Sequence, residues 1–127
     1  MPWPTNGRII AKFGRQWNPK LKTTTENPGI DIKGQPGSSI KTILGGVVTT
    51  ITYIRGYGTT IIIDHGGGFY TVYSHVANIQ TSVDSEVKNG ELLAYMGDYG
   101  SINGSKLHFE IWGKGQKLDP EKWLRKK

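Results

Sequence analysis

The sequence predicts an all-β fold built mainly of antiparallel sheet, and three observations carry that reading. β-Branched residues cluster in short runs, notably residues 40–54 and 59–64, and such side chains suit a pleated surface better than a helix. Turn-forming sequences punctuate the runs: Gly45-Gly46, Arg55-Gly56-Tyr57-Gly58, Gly66-Gly67-Gly68 and Asn89-Gly90. Only residues 120–124 have helical character, a single turn after an Asp119 cap.

Taken in order, the elements begin with the short apolar alternation Arg8-Ile9-Ile10-Ala11-Lys12-Phe13. Residues 14–28 read as a long polar loop carrying Trp17 and the run Thr23-Thr24-Thr25. Gly29-Ile30-Asp31-Ile32 is a short strand whose isoleucines share one face while Asp31 points to the other. The Gly45-Gly46 break divides residues 40–54 into two strands joined by a turn or bulge. Residues 59–64 form a strong strand, and three glycines turn it into Phe69-Tyr70-Thr71-Val72-Tyr73-Ser74-His75. After Val87 a turn at Asn89-Gly90 leads to a strand over residues 91–96. A Gly/Ser/Asn loop over 97–105 then enters a strand over 106–112. No linker, repeat or low-complexity segment interrupts the series, so residues 1–127 are expected to form a single domain with its core over about 4–124.

A chain of 127 residues can bury one good core. Sixteen basic residues against ten acidic ones give a formal charge of +6. Five of the basic residues (Arg8, Lys12, Arg15, Lys20, Lys22) precede residue 23, and three close the chain as Arg125-Lys126-Lys127. The favoured reading is two solvated basic ends; a dedicated anion-binding face is the alternative. No nucleic-acid partner is expected, because there is neither a basic helix nor a basic stripe interleaved with recognition aromatics. No apolar run approaches membrane-spanning length. Met1-Pro2-Trp3-Pro4 has no signal-peptide pattern, so an exported form would carry its signal on a longer precursor. The lack of cysteine excludes disulfides and thiolate metal sites.

The three histidines differ in context. His65 ends a strand at a glycine-rich turn, where a structural role pairing with backbone is the favoured reading. His75 ends the partner strand, from which a side chain can project into a cleft. His108 shares a strand face with Lys106 and Glu110, opposite Leu107, Phe109 and Ile111; taken alone, that polar face reads as the solvent side. Asp31, taken alone, reads as a surface charge.

The order of signals says more. Asn27-Pro28-Gly29-Ile30-Asp31, Gly45-Gly46-Val47-Val48, Tyr57-Gly58 and Ile61-Ile62-Ile63-Asp64-His65 are followed by Tyr73-Ser74-His75, Val87-Lys88-Asn89-Gly90-Glu91, Gly97 and Leu107-His108-Phe109-Glu110. This series resembles the lysostaphin/LytM-type zinc endopeptidases of bacterial cell walls. In active members, zinc is held by a His, an Asp four residues later, and the second His of a His-x-His strand motif. The resemblance therefore implies that Asp31 and His108 correspond to two ligands and His75 to a separate catalytic histidine. Two positions depart: Asn27 stands at the first His ligand, and Lys106 at the first His of the strand motif.

These departures imply a lost zinc site. A catalytic zinc takes three protein ligands and an open position; an amide oxygen is a poor substitute for imidazole, and an ammonium has no lone pair to offer. Lys106 is expected to pair instead with Asp31 or Glu110 as an internal cation. No catalysis and no cofactor are expected.

Degenerate LytM domains of this kind resemble the EnvC/NlpD-type activators of cell-wall amidases, with residues 26–34 and 118–124 leaning toward EnvC. The resemblance implies a protein of the periplasm or cell envelope that binds an amidase in its groove and relieves autoinhibition during cell separation. A coiled coil preceding the domain and a division-associated membrane complex are implied in the full-length protein. The expected groove residues are Asn27, Asp31, Arg55, Tyr57, His75, Tyr99, Lys106 and His108, within walls formed by residues 14–28, 55–58, 78–83 and 99–105; Trp17 belongs to the first wall. Two alternatives stay open: an active zinc endopeptidase with Asn27, Asp31 and His108 as unusual ligands, and a peptidoglycan-binding module.

Overall fold

The computed structural model describes residues 1–97 and 105–125. Its strands are β1 (Arg8–Ala11), β2 (Gly14–Asn18), β3 (Thr23–Asn27), β4 (Ile30–Gly34), β5 (Ser39–Lys41), β6 (Gly46–Ile54) and β7 (Gly58–Gly66). They continue as β8 (Phe69–Ser74), β9 (Val76–Ala77), β10 (Glu86–Val87), β11 (Leu92–Met96), β12 (Ser105–Gly113) and β13 (Gln116–Leu118). A 3-10 turn over Pro120–Lys122 follows, capped by the Asp119 carboxylate, which accepts from the Glu121 N–H. The all-β expectation holds, with the single helical turn where the sequence placed it.

The large sheet runs β1-β4-β12-β8-β7-β6-β10, with β13 added beside β12. β5, β11 and β9 form a second sheet, and β2 and β3 form a two-stranded ribbon. Each of these pairings is antiparallel. The β7–β8 hairpin turns on Gly66, Gly67 and Gly68, all at positive φ, which only glycine adopts without strain.

Alternation along β4 and β12 builds the core. Ile30 and Ile32 are fully buried, as are Leu107 and Phe109, and Ile111 is nearly so. They join Ile40 of β5, Val76 of β9 and Leu93, Ala94 and Met96 of β11 in one cluster with Ile61, Ile63 and Tyr73. Asp31, His108 and Glu110 fall on the other face of the large sheet, as period-two alternation requires. That face is not the solvent side at this point, since His108 and Glu110 are themselves buried.

Residues 14–28 are a paired hairpin rather than a loop. The threonine run supplies a strand-forming segment in β3, and the Asn18 carboxamide oxygen accepts from the backbone N–H of Lys20 (3.0 Å) and Leu21 (3.2 Å) to fix the turn. Polar composition conceals such a ribbon, because little of it is buried. Among the described residues, no helix is long and apolar enough to cross a membrane.

Candidate functional site

Three adjacent strands build the floor of a groove. His108 on β12 lies opposite Asp31 on β4 and opposite Ser74 on β8. His75 follows Ser74 immediately, in a left-handed conformation with φ of 66°. Its N–H donates to the Tyr57 carbonyl at 2.8 Å and its carbonyl accepts from Gly97 at 3.0 Å. Those bonds hold a backbone conformation that costs a non-glycine residue about 1 kcal/mol or more. The Tyr57 ring lies over His108 at 4.8 Å between centroids and 6.4 Å from the ring of His75. The groove has a volume of about 440 Å³ and is lined by Ala11, Thr25, Glu26, Asn27, Pro28, Asp31, Gly56, Tyr57, His75, Lys106 and His108.

At its centre is a hydrogen-bonded row. The His108 ring donates from Nδ1 to Asp31 Oδ1 at 2.7 Å and from Nε2 to Glu110 Oε2 at 2.8 Å. Ionised carboxylates have nothing to donate, so with both ionised the two bonds call for a proton on each ring nitrogen, and the row favours the imidazolium form of His108. Trp112 Nε1 donates to the other Glu110 oxygen at 2.8 Å, and Lys117 Nζ lies 3.7 Å from it. Lys106 Nζ stands 3.9 Å from Asp31 Oδ2 with its side chain 40% exposed.

The electrostatics follow this geometry. Burial pushes the His108 pKa down, but the hydrogen bonds and charges of Asp31 and Glu110 outweigh it and hold it above the ordinary value. Burial pushes the Asp31 carboxyl up, yet its hydrogen bond to His108, with the charges of His108 and Lys106, leaves it below the usual range. Glu110 is likewise lowered, burial being outweighed by the bonds from His108 and Trp112. His75 goes the other way: burial lowers it, and the charges of Lys106 and His108 add to that, so it is neutral more readily than an ordinary histidine.

The expected cluster is therefore largely assembled: Asn27, Asp31, Tyr57, His75, Lys106 and His108 share one groove. Three expectations need correction. Arg55 sits on the exposed outside of the β6–β7 turn, and it is Gly56 and Tyr57 that line the groove. Residues 78–83 do not line it. Trp17 does not line it either: the groove takes Thr25, Glu26 and Asn27 from the end of β3, whereas Trp17 pairs with Thr24 farther along the ribbon. Tyr99 lies outside the described residues.

Lys106 pairs with Asp31, as one of its two expected options, whereas Glu110 pairs with His108, Trp112 and Lys117. The part of Glu110 was missed. The signal was present, since residues two apart on a strand share a face and an acid beside a histidine is a natural partner. His65 has the structural role expected of it, its Nδ1 donating to the Gly45 carbonyl at 2.8 Å and its Nε2 bonded to Thr71 Oγ1 at 2.7 Å.

Residues 25–120, which span the groove floor and most of the strands, match peptidase family M23. The chain belongs to peptidase family M23. Relatives include outer membrane antigenic lipoprotein B of Haemophilus influenzae, 41% identical over 96% of this chain and 28% of that protein. The murein hydrolase activator NlpD of Escherichia coli is 37% identical over 96% of this chain and 30% of its own length. The murein hydrolase activator EnvC of the same organism is 30% identical over 96% of this chain and 28% of its own length. The chain thus spans under a third of the length of these relatives. Among solved structures, Csd3 of Helicobacter pylori superposes with a TM-score of 0.84 at 25% identity, covering 99% of this chain and 35% of that one. Among the described residues, this M23 domain has no group of three or more His, Asp or Glu side chains placed to hold a metal ion.

Proposed function

We propose that this M23 domain is a non-catalytic activator of peptidoglycan N-acetylmuramoyl-L-alanine amidases, acting in the periplasm or cell envelope. Its groove would receive an amidase element and relieve that enzyme's autoinhibition during cell separation. The observation that carries this reading is the Asp31–His108–Glu110 row: the two side chains that could serve as metal ligands are bonded to each other, and both His108 nitrogens are engaged by carboxylates.

A zinc ion would have to displace a proton that two carboxylates hold in place. The Asn27 amide oxygen is already committed to the Gly29 N–H at 3.2 Å, and it is a weak donor in any case. Lys106 adds a cation beside the same carboxylate and does not supply the lone pair of a neutral histidine. The donor set therefore does not fit a catalytic zinc, and no hydrolytic step is derived through one. The activator names of the Escherichia coli relatives support the same reading. The bond between N-acetylmuramic acid and L-alanine would be cut by the amidase with its own metal. In the full-length protein, a preceding coiled coil and a division-associated membrane complex would bring the domain to its partner, and peptidoglycan is a secondary ligand.

The experiment mixes the chain with an autoinhibited amidase and dye-labelled sacculi, alongside zinc analysis of the chain alone. Dye release should need both proteins, and Tyr57→Ala should weaken it more than Arg55→Ala, because Tyr57 lines the groove. Stoichiometric zinc together with cross-bridge cleavage by the chain alone would make it a peptidase. Binding to sacculi with no binding to amidase would make it a wall-binding module.

A further inference from the structure

The β2–β3 ribbon carries a surface that the groove does not use. Glu26 is the first acidic residue of the chain, and the 25 residues before it hold five basic side chains. Arg15, Lys20 and Lys22 belong to the ribbon and its turn and are exposed, as are Arg8 and Lys12 at β1 beside it in sequence. On the ribbon stand two large apolar residues that the fold leaves in water: Trp17 is 62% exposed and Leu21 70%. Among the described residues the ribbon's two strands pair only with each other, and neither joins the main sheet.

The groove does not reach this surface. Its lining includes Thr25, Glu26 and Asn27 at the end of β3, but neither Trp17 nor Leu21, which lie toward the far end of the ribbon. A segment seated in the groove therefore does not account for the exposure of Trp17. The turn is not slack: Asn18 bonds the backbone of Lys20 and Leu21, and Lys22 takes a φ of 52° to close it. The indole, the leucine and the flanking cations are thus held at a projecting tip.

We propose that this ribbon docks on an anionic phospholipid surface. An indole suits the headgroup level of a bilayer, a leucine at a tip can reach the acyl boundary, and lysines beside them keep their ammonium groups among the phosphates while their stems lie along apolar surface. Basic side chains near an anionic leaflet each add to the attraction. A neutral glycan would gain nothing from the flanking cations, which an anionic leaflet attracts. Because neither Trp17 nor Leu21 lines the groove, the docked domain keeps its groove open. The inference rests on the ribbon alone and stands whether or not the groove receives an amidase.

The test is co-sedimentation of the chain with vesicles of phosphatidylglycerol and phosphatidylcholine, against vesicles of phosphatidylcholine alone. Binding is expected to the first and not the second, and should fall as salt screens the charges. Lys20→Glu with Lys22→Glu should weaken binding by about tenfold or more, and Trp17→Ser with Leu21→Ser should abolish it, while the circular dichroism melt of both variants stays that of the parent. Binding that is absent, equal on neutral vesicles, or unchanged in both variants would overturn the proposal. Binding to purified sacculi that these variants lose, with none to vesicles, would overturn it in favour of the wall.

Discussion

The β2–β3 ribbon runs directly into β4 of the groove floor, yet the two regions are held together in different ways. The floor is paired on both sides: β12 bonds β4 through Asp31 opposite His108 and β8 through Ser74 opposite His108, and its polar side chains bond one another beneath the Tyr57 ring. The ribbon pairs only with itself among the described residues and leaves Trp17 and Leu21 in water. In the floor, then, a side chain's role is set by its neighbours, and changing one strands the others. In the ribbon a side chain can be exchanged with little effect on the fold, so its exposed apolar groups call for a different explanation.

The largest effect should come from removing the cation at the centre of the floor. His108→Ala leaves the Asp31 and Glu110 carboxylates largely buried without the proton donor between them, at an expected cost of about 3–5 kcal/mol, seen as a large drop in denaturation midpoint. A loss under 1 kcal/mol would mean that the row does not bind the floor together, and the contrast with the ribbon would fail.

The pH dependence of the floor is the next test. His108 is raised from 6.5, so its contribution is full below that value and fades as pH rises through the higher folded value. Asp31 and Glu110 are lowered from 3.8 and 4.5, so theirs is present above those values and fades as pH falls through the lower folded ones. The row should stabilise most between about pH 4.5 and 6.5. His75, lowered from 6.5, works in the opposite sense as pH falls below that value. The measurement is therefore the stability difference between the parent and His108→Asn, which should be greatest inside that window and shrink above it. A difference that grows from pH 6 to pH 8 would contradict the imidazolium.

A smaller and more specific effect concerns the metal. Asn27→His with Lys106→His returns an imidazole and removes the competing cation, so zinc affinity by calorimetry should rise by at least about tenfold, the scale on which even an outer-sphere partner matters to a metal. Unchanged affinity would show that Asn27 and Lys106 do not frame one site. The smallest effect belongs to the ribbon, where Trp17→Ser should change stability by no more than about 0.5 kcal/mol. A larger loss would mean that the indole packs against the domain and that the two regions are not so different.

Much of this molecule is legible along the chain. Period-two alternation placed Ile30 and Ile32 in the core with Asp31 opposite, and did the same for Leu107, Phe109 and Ile111 against His108 and Glu110. Three successive glycines marked the β7–β8 turn, and Asp119 before a proline marked the final one. The ribbon was not legible as strand, because a pair that buries almost nothing shows no apolar alternation to read.

The sequence by itself determined the β class and the faces of the central strands, since these depend on residue type and on spacing within a few residues; Asn27 and Lys106 stand out only against the family the chain resembles. That Asp31 and His108 share a site was legible only through likeness to a family, because nothing local links positions 77 residues apart. Tertiary structure decided how the charges are divided. Lys106 is the internal cation expected from the sequence, but the pairing of β4 with β12 puts the His108 ring between two carboxylates, while Lys106 stays 40% exposed at 3.9 Å from Asp31. Pairing in the ribbon likewise set Trp17 opposite Thr24, outside the groove lining. The physical reason is common to both: strand register fixes which side chains from distant parts of the chain meet, and a protonation state depends on those partners rather than on the residue alone.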